Sequence, residues 1–539
     1  MNDLLIRGAT VYDGTGKTGR VADVAVKDGR IASPGPARQT VDAGGLALMP
    51  GIVDVHTHYD AQVTWDPTLS PSVSLGVTTA VMGNCGFGIA PCPAALRETM
   101  VRNLSVVEGM DLEALLRGTR WEFETFAQYL DALERIHPYG NVAVLAQHST
   151  IRTAVMGQEA STRKEPSLEQ LAHMRALVRE ALDAGAAGFA SSFSPNHSGW
   201  GGRPMPSTIA GDDELKALTG ELKGRGIFVM ATGPRATPEY MEEICAANGR
   251  PAFMVTVLTM YNSAAPERAL TYYERCAAAN ARGREVYIHT SCQPLSFDFT
   301  LQEPYLLYSH DAFDRVQAAA PGERAAIYRD PEFRQRFREN LANPKQGILF
   351  YGDWGQVEVD GVPVTRLAHG KDPLDWFFDL PTDRQLVAKL YQNDDAGVAP
   401  LLQHPAGVVA LSDAGAHLIY FCDAGFGLHF LAHWVRGNGT FTLEEGVRRL
   451  TSDPARKYRI PRRGEITPGF FADLVLFDPQ AVGLTNLERV RDLPGGGTRM
   501  IRKPRGLHGV WVNGVQVHDG RDYAALERGP GRVLRTFDA

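Results

Sequence analysis

The stretch Met49-Pro50-Gly51-Ile52-Val53-Asp54-Val55-His56-Thr57-His58 constrains this chain more than any other. Pro50-Gly51 marks a turn, and the apolar run Ile52 to Val55 then reads as a short buried strand. The run leads into two histidines two residues apart, and side chains at that spacing on a strand project from one face. His56 and His58 can therefore aim both imidazoles at one point, an arrangement suited to a divalent metal such as zinc. Two satisfied histidines at a partly exposed strand end are the plainer reading of the same residues.

A length of 539 residues exceeds one ordinary core, so a large domain with a smaller companion is expected. The net charge of -7 argues against a nucleic-acid or anionic-membrane partner, since both call for a basic face. No stretch approaches the ~20 unbroken apolar residues of a membrane-spanning helix. The start, Met1-Asn2-Asp3-Leu4-Leu5, has neither the basic nor the apolar part of a secretory leader. The 6 cysteines are scattered without a short-spaced framework, so reduced thiols in a cytoplasmic enzyme are expected.

Residues 1–50 alternate in the manner of strands and carry Asp-Gly turns, at Asp13-Gly14 and Asp28-Gly29. The same texture returns in Ala472 to Asp478 and Gly509 to Val515. Strand-rich segments at both ends, flanking a helix-rich middle, predict one discontinuous β-sandwich, built from 1–50 and 459–539. Between them, over 51–458, short apolar runs alternate with helical patterns, as in a (β/α)8 TIM barrel. After the first strand the candidates are Thr78 to Met82, Val142 to Ala146, Ala186 to Ser191, Ile227 to Thr232, Ala252 to Leu258, Glu285 to Thr290 and Val408 to Asp413. Helices are expected over Leu168 to Ala184, Asp213 to Gly224 and Arg324 to Asn340. Residues 291–400 are too many for a plain βα connection; they read either as a cap over the barrel mouth or as an oligomerisation arm.

Barrel enzymes place their chemistry at the C-terminal ends of the strands. The second strand runs into Gly83-Asn84-Cys85-Gly86, where flanking glycines let a thiolate approach a metal; an inert buried thiol is the alternative. The eighth leads into Ser412-Asp413-Ala414-Gly415-Ala416-His417. A carboxylate there can bind a metal and accept a proton from water, or it can cap the next helix. His289 and His148, at the ends of strands seven and three, are either further ligands or hydrogen-bond partners of ligands. His417 follows Asp413 closely enough to line the same pocket. Arg152 and Arg235 are the cations best placed to hold an anionic substrate, and Gly199-Trp200-Gly201-Gly202-Arg203 forms a flexible loop after strand four.

The His-x-His strand followed by Asp60 resembles the first barrel strand of the amidohydrolase superfamily. Gly83 to Pro91, Ser412 to His417, Val512-Asn513-Gly514 and Gly529 to Arg535 together resemble its N-acyl-D-amino-acid deacylase (D-aminoacylase) branch. That resemblance implies a zinc-dependent hydrolase of small-molecule amides with His56, His58, Cys85 and Asp413 as metal ligands and Asp413 as general base. It also implies metal-binding histidines at the ends of strands five and six, where this chain has Gly233 and the run Thr256 to Tyr261. The arginine that follows strand eight in the family, a clamp for the substrate carboxylate, has no counterpart in Leu418 to Asp423. One zinc ion per chain is therefore expected. Either Arg152 or Arg235 takes over the carboxylate, or the substrate carries none there. A non-hydrolytic relative, a lyase or ligand-binding barrel with a reduced metal site, is the rival reading, and homo-oligomerisation stays open.

Overall fold

A computed structural model describes residues 1–345, 348–416 and 424–537. His417 and Cys422 lie outside the described residues.

Eight parallel strands follow one another around a curled sheet: Ile52–Asp54, Val77–Met82, Asn141–Gln147, Gly188–Ser192, Ile227–Ala231, Ala252–Val255, Val286–Thr290 and Gly407–Val409. Nearly every residue in them is buried, as a parallel sheet covered on both faces requires. The sheet closes through a bridge between Thr57 and Ala414, with His58 N donating to Ala414 O at 2.8 Å. The closing seam thus joins the segment carrying His56 and His58 to the segment carrying Asp413.

All eight expected barrel strands are present, with shorter sixth and eighth members. The sixth stops at Val255 because Thr256 turns its side chain onto Leu258 N and starts a 3-10 turn over Val257–Thr259. The eighth leaves the ladder after Val409, since Leu411 (φ +75°) and Asp413 (φ +51°) are left-handed. Left-handed backbone disfavours residues with a Cβ, and where it recurs at functional positions it marks strain held by the surroundings. Here it swings the Asp413 carboxylate towards the first strand.

The covering helices follow local rules. Leu168–Ala184 begins with a reciprocal capping box between Ser167 and Gln170 and ends at Gly185 in the left-handed conformation. The helical pattern from Arg324 is broken into Arg324–Arg329 and Pro331–Ala342, because proline cannot donate within a helix and Asp330 caps the second piece.

Strands from both termini build the second body. Ala47–Pro50 pairs antiparallel with Leu474–Phe477, which continues to Leu507–Val512 and Val515–His518. On the other side Asn2–Val11 pairs along Ala37–Asp42 and then along Ala47–Pro50, its ladder to Arg20–Lys27 shifting between Ile6 and Ala9. Leu4, Ile6, Val24, Val26, Leu48, Leu474, Leu476 and Trp511 form its core. Asn513 ties this body to the barrel, donating 2.8 Å hydrogen bonds to Asn141 Oδ1 and Pro530 O. Residues 295–390 carry their own four-stranded sheet and an aromatic cluster in which Phe313, Phe333, Phe337 and Phe378 stack edge to face. Among the described residues no helix is long and apolar enough to cross a membrane.

Candidate metal centre and active site

His56, His58, Cys85 and Asp413 meet at the C-terminal mouth of the barrel. His56 Nε2 lies 3.6 Å from Cys85 Sγ and 3.1 Å from Asp413 Oδ1, and His58 Nε2 lies 3.6 Å from the same carboxylate oxygen. The ligand atoms of His56, His58 and Cys85 all fall within 4.8 Å of one another. That spacing would let one ion touch the two imidazoles and the thiol, with the Asp413 carboxylate beside both histidines, and two imidazoles, a thiol and a carboxylate are donors that zinc accepts.

Charge supports the fit. Burial alone would push the histidines down, but Cys85 and Asp413 lift His56 to about 9, and Glu108 lifts His58 well above its ordinary range. Burial opposes a charge on Cys85, yet the neighbouring imidazoles bring its thiol below the usual value. The cluster thus gathers negative donors around a point that calls for positive charge, which protons or a cation can supply.

The backbone explains how these side chains arrive. Cys85 is itself left-handed (φ +55°) and sits between Gly83 and Gly86, both at positive φ. A Cβ on Gly86 would come within 2.7 Å of Ser191 Cα, and one on Gly83 within 2.6 Å of Leu145 O. The loop therefore presses directly on strands three and four, where no larger residue fits. Buried Asp60 anchors it, accepting from Gly83 N at 3.1 Å and from Gln147 Nε2 at 2.9 Å. Desolvation raises Asp60 to about 6 against those hydrogen bonds. Beneath the site Asp54 accepts from His56 N and from Ser412 Oγ, tying strands one and eight together.

His289 stands behind His56. Its Nδ1 is 3.0 Å from His56 Nδ1, and its Nε2 is 2.6 Å from the Tyr458 hydroxyl. Burial, reinforced by His56, keeps its pKa well below the ordinary value, so it is a neutral imidazole. His289 thus links His56 Nδ1 to the Tyr458 hydroxyl, and an ion held at His56 Nε2 would leave the proton of a neutral His56 on Nδ1, facing His289. That chain orients the His56 ring.

His148 and Arg152 belong to a different, wholly enclosed network. His148 bonds Ser191 Oγ and Glu214 Oε1, each at 2.8 Å, and Arg152 pairs with the other oxygen of Glu214. Arg152 also donates to the carbonyls of Ala160, Arg163 and Lys164. Arg235 lies over the Phe193 ring at 3.9 Å and donates to Ala210 O and Asp212 Oδ1. Neither arginine nor His148 lines the cavity in front of the cluster.

That cavity, of about 200 Å³, reaches from the four donors to the residue 295–390 sheet. Val107, Ala231, Val255, Val257, Met260, Leu295, Phe297, Leu349 and Leu411 give it apolar walls; Ser194, Asn196, His197, Thr232, Thr256 and Ser291 add polar groups. Leu295 and Phe297 bring that inserted sheet to the barrel mouth. No residue of the loop Gly199 to Arg203 lines the cavity, and Trp200 lies under Arg102; Ser194, Asn196 and His197, which precede that loop, do line it.

Glu108 was not foreseen. It caps the C-terminus of the helix Arg97–Val107, is buried, and places Oε1 3.3 Å from His58 Nδ1. Desolvation, aided by Cys85 and Asp413, raises its pKa well above the ordinary carboxylate range. It lies in the long connection between strands two and three, away from any strand end. Its one sequence mark is an acid followed by Gly109, the glycine that ends a helix.

The amidohydrolase family pattern matches residues 39–328 and 386–518. The chain belongs to the amidohydrolase family. Residues 329–385 of this amidohydrolase, within the insertion, lie outside the match. The chain is 29% identical to an N-acyl-D-aspartate deacylase of Alcaligenes xylosoxydans xylosoxydans, over 100% of this chain and 96% of that one. It is 28% identical to a D-aminoacylase of the same organism, over 99% and 97%. Among solved structures, a D-aminoacylase with a binuclear metal centre superposes with a TM-score of 0.69 at 25% identity, covering 99% and 100% of the two chains. An N-acyl-D-glutamate deacylase from Bordetella bronchiseptica, complexed with zinc and a phosphonate inhibitor that mimics the tetrahedral intermediate, gives 0.66 at 26% over the same shares.

Proposed function

We propose that this amidohydrolase is a zinc-dependent hydrolase of the C–N bond of an N-acyl amino acid or related amide, with Asp413 as its general base. The observation that carries the reading is the convergence of His56 Nε2, His58 Nε2, Cys85 Sγ and Asp413 Oδ1 at the floor of one cavity. These four residues would hold the ion. When bound there, zinc supplies Lewis acidity, polarising the scissile carbonyl and making water acidic enough to attack near neutral pH.

The protein's own groups do the rest. Asp413 takes the proton of the attacking water and delivers it to the departing nitrogen, which leaves as an amine. His289 and Tyr458 orient the His56 ring from behind so that Nε2 faces the cavity, and Glu108 faces Nδ1 of His58. The apolar walls exclude bulk water and strengthen each electrostatic contact inside. The end of strand five offers Thr232 and Gly233, and that of strand six Thr256, none a good ligand for a second ion. Both nitrogens of His289, and both of His148, already have partners. This supports a site for one ion.

The direct test is a panel of N-acyl amino acids and cyclic amides with zinc-loaded enzyme, repeated after chelation. Turnover should vanish with chelation and return with zinc. Turnover that persists in metal-free enzyme would contradict the proposal.

A further inference from the structure

Resting on that reading, we infer that the cavity takes an uncharged amide and discriminates against substrates with a free carboxylate beside the scissile bond. A buried carboxylate needs a cation or a set of donors to replace its water. Among the described residues no lysine or arginine lines the cavity. The stretches 346–347 and 417–423, which are not described, contain neither residue type.

The two arginines expected from the sequence have other work. Arg152 is spent on Glu214 and three carbonyls inside the barrel wall, and Arg235 on Asp212 and Ala210. Glu108 is the remaining ionisable carboxyl on the wall; it offers no positive charge in either protonation state. Val255, Val257 and Met260, on the segment that ends strand six, instead present hydrocarbon. This environment favours the apolar part of a neutral amide; for a carboxylate the wall offers the His197 imidazole and neutral donors such as Ser194, Asn196 and Thr232, but no lysine or arginine.

One further cation lies outside the wall. Arg268, beside Tyr391, has Nε and Nη2 buried without a hydrogen-bond partner, but it does not line the cavity.

The experiment uses matched pairs: N-acetyl-D- and L-leucine and N-acetyl-D- and L-phenylalanine, each against its carboxamide, with zinc-loaded full-length enzyme. For pairs that turn over, kcat/KM is compared; for pairs that do not, affinity is compared by isothermal titration on the same protein. The carboxamide should be preferred by more than tenfold. Val257→Arg, which places a cation on the wall, should narrow or reverse that preference. A free acid preferred in wild type overturns the inference, and loss of that preference in Arg268→Ala would identify Arg268 as the carboxylate clamp. Binding of neither member of any pair also overturns it. Absence of turnover for every pair, with the carboxamide still bound more tightly, counts against the hydrolase reading and leaves the charge preference supported.

Discussion

Asp413→Asn enzyme should lose amide turnover by roughly 10²- to 10⁴-fold, the usual cost of removing a positioned general base. The substitution is nearly isosteric and keeps an oxygen able to face His56 and His58, so zinc should remain bound. What it removes is proton affinity: an amide cannot accept the proton of attacking water or return it to the leaving nitrogen. The left-handed backbone at Asp413 suits asparagine, which tolerates positive φ better than most residues. The fold should therefore be unchanged. The variant is checked by kcat on the best amide, with zinc content and far-UV circular dichroism measured on the same sample. Near-wild-type activity at normal zinc content would remove Asp413 from the role assigned to it.

Glu214→Gln should destabilise the protein by about 3–5 kcal/mol, the range for removing one partner of a buried ion pair. The Arg152 and Glu214 side chains are 0% and 1% exposed, so neither water nor salt can replace the lost charge. His148, bonded to the other oxygen of Glu214, loses a charged acceptor as well. The damage should reach the metal centre, because His148 holds Ser191, and Ser191 backs directly on Gly86 beside Cys85. Removing both charges, as in Glu214→Leu with Arg152→Met, should recover part of the stability, since the cost lies in the unpaired charge. Urea denaturation of the three proteins provides the comparison. A Glu214→Gln variant within 1 kcal/mol of wild type would show that the network is not holding the wall.

The contrast between these two sites shows what a sequence displays and what it hides. His56, His58, Cys85 and Asp413 sit in short local patterns at strand ends, where chain direction nearly dictates side-chain direction. A period-2 histidine pair and glycines flanking a cysteine are visible without a fold. The eight strands were equally legible, because continuous apolar runs punctuated by turns are what a parallel sheet requires. Glu108, by contrast, belongs to the site only because the helix Arg97–Val107 ends over the mouth. That placement depends on tertiary packing, and an acid at a helix end has many ordinary uses. Arg152 misled for the opposite reason. It lies shortly after strand three, near a plausible substrate face, but its helix, His148–Met156, turns the side chain into the wall, where Glu214 from a distant helix neutralises it. Long-range charge pairing leaves no mark in the local sequence.

The terminal sheet shows the same division. Its alternation announced strands at both ends of the chain, and their joining through Ala47–Pro50 and Leu474–Phe477 follows from two half-sheets each leaving an open edge. The role of Val512-Asn513-Gly514 was not visible. Asn513 bonds Asn141 at the start of strand three and Pro530 of the tail, so this motif fastens the two bodies together, at the opposite end of strand three from His148.

The central claim is a hydrolytic centre built for one ion on His56, His58, Cys85 and Asp413. Metal content per chain tests it most directly, measured by elemental analysis after extended dialysis of zinc-reconstituted protein. The account predicts one retained equivalent, falling to a small fraction of that in Cys85→Ala. Two equivalents retained per chain, or one equivalent held undiminished by Cys85→Ala, would contradict it.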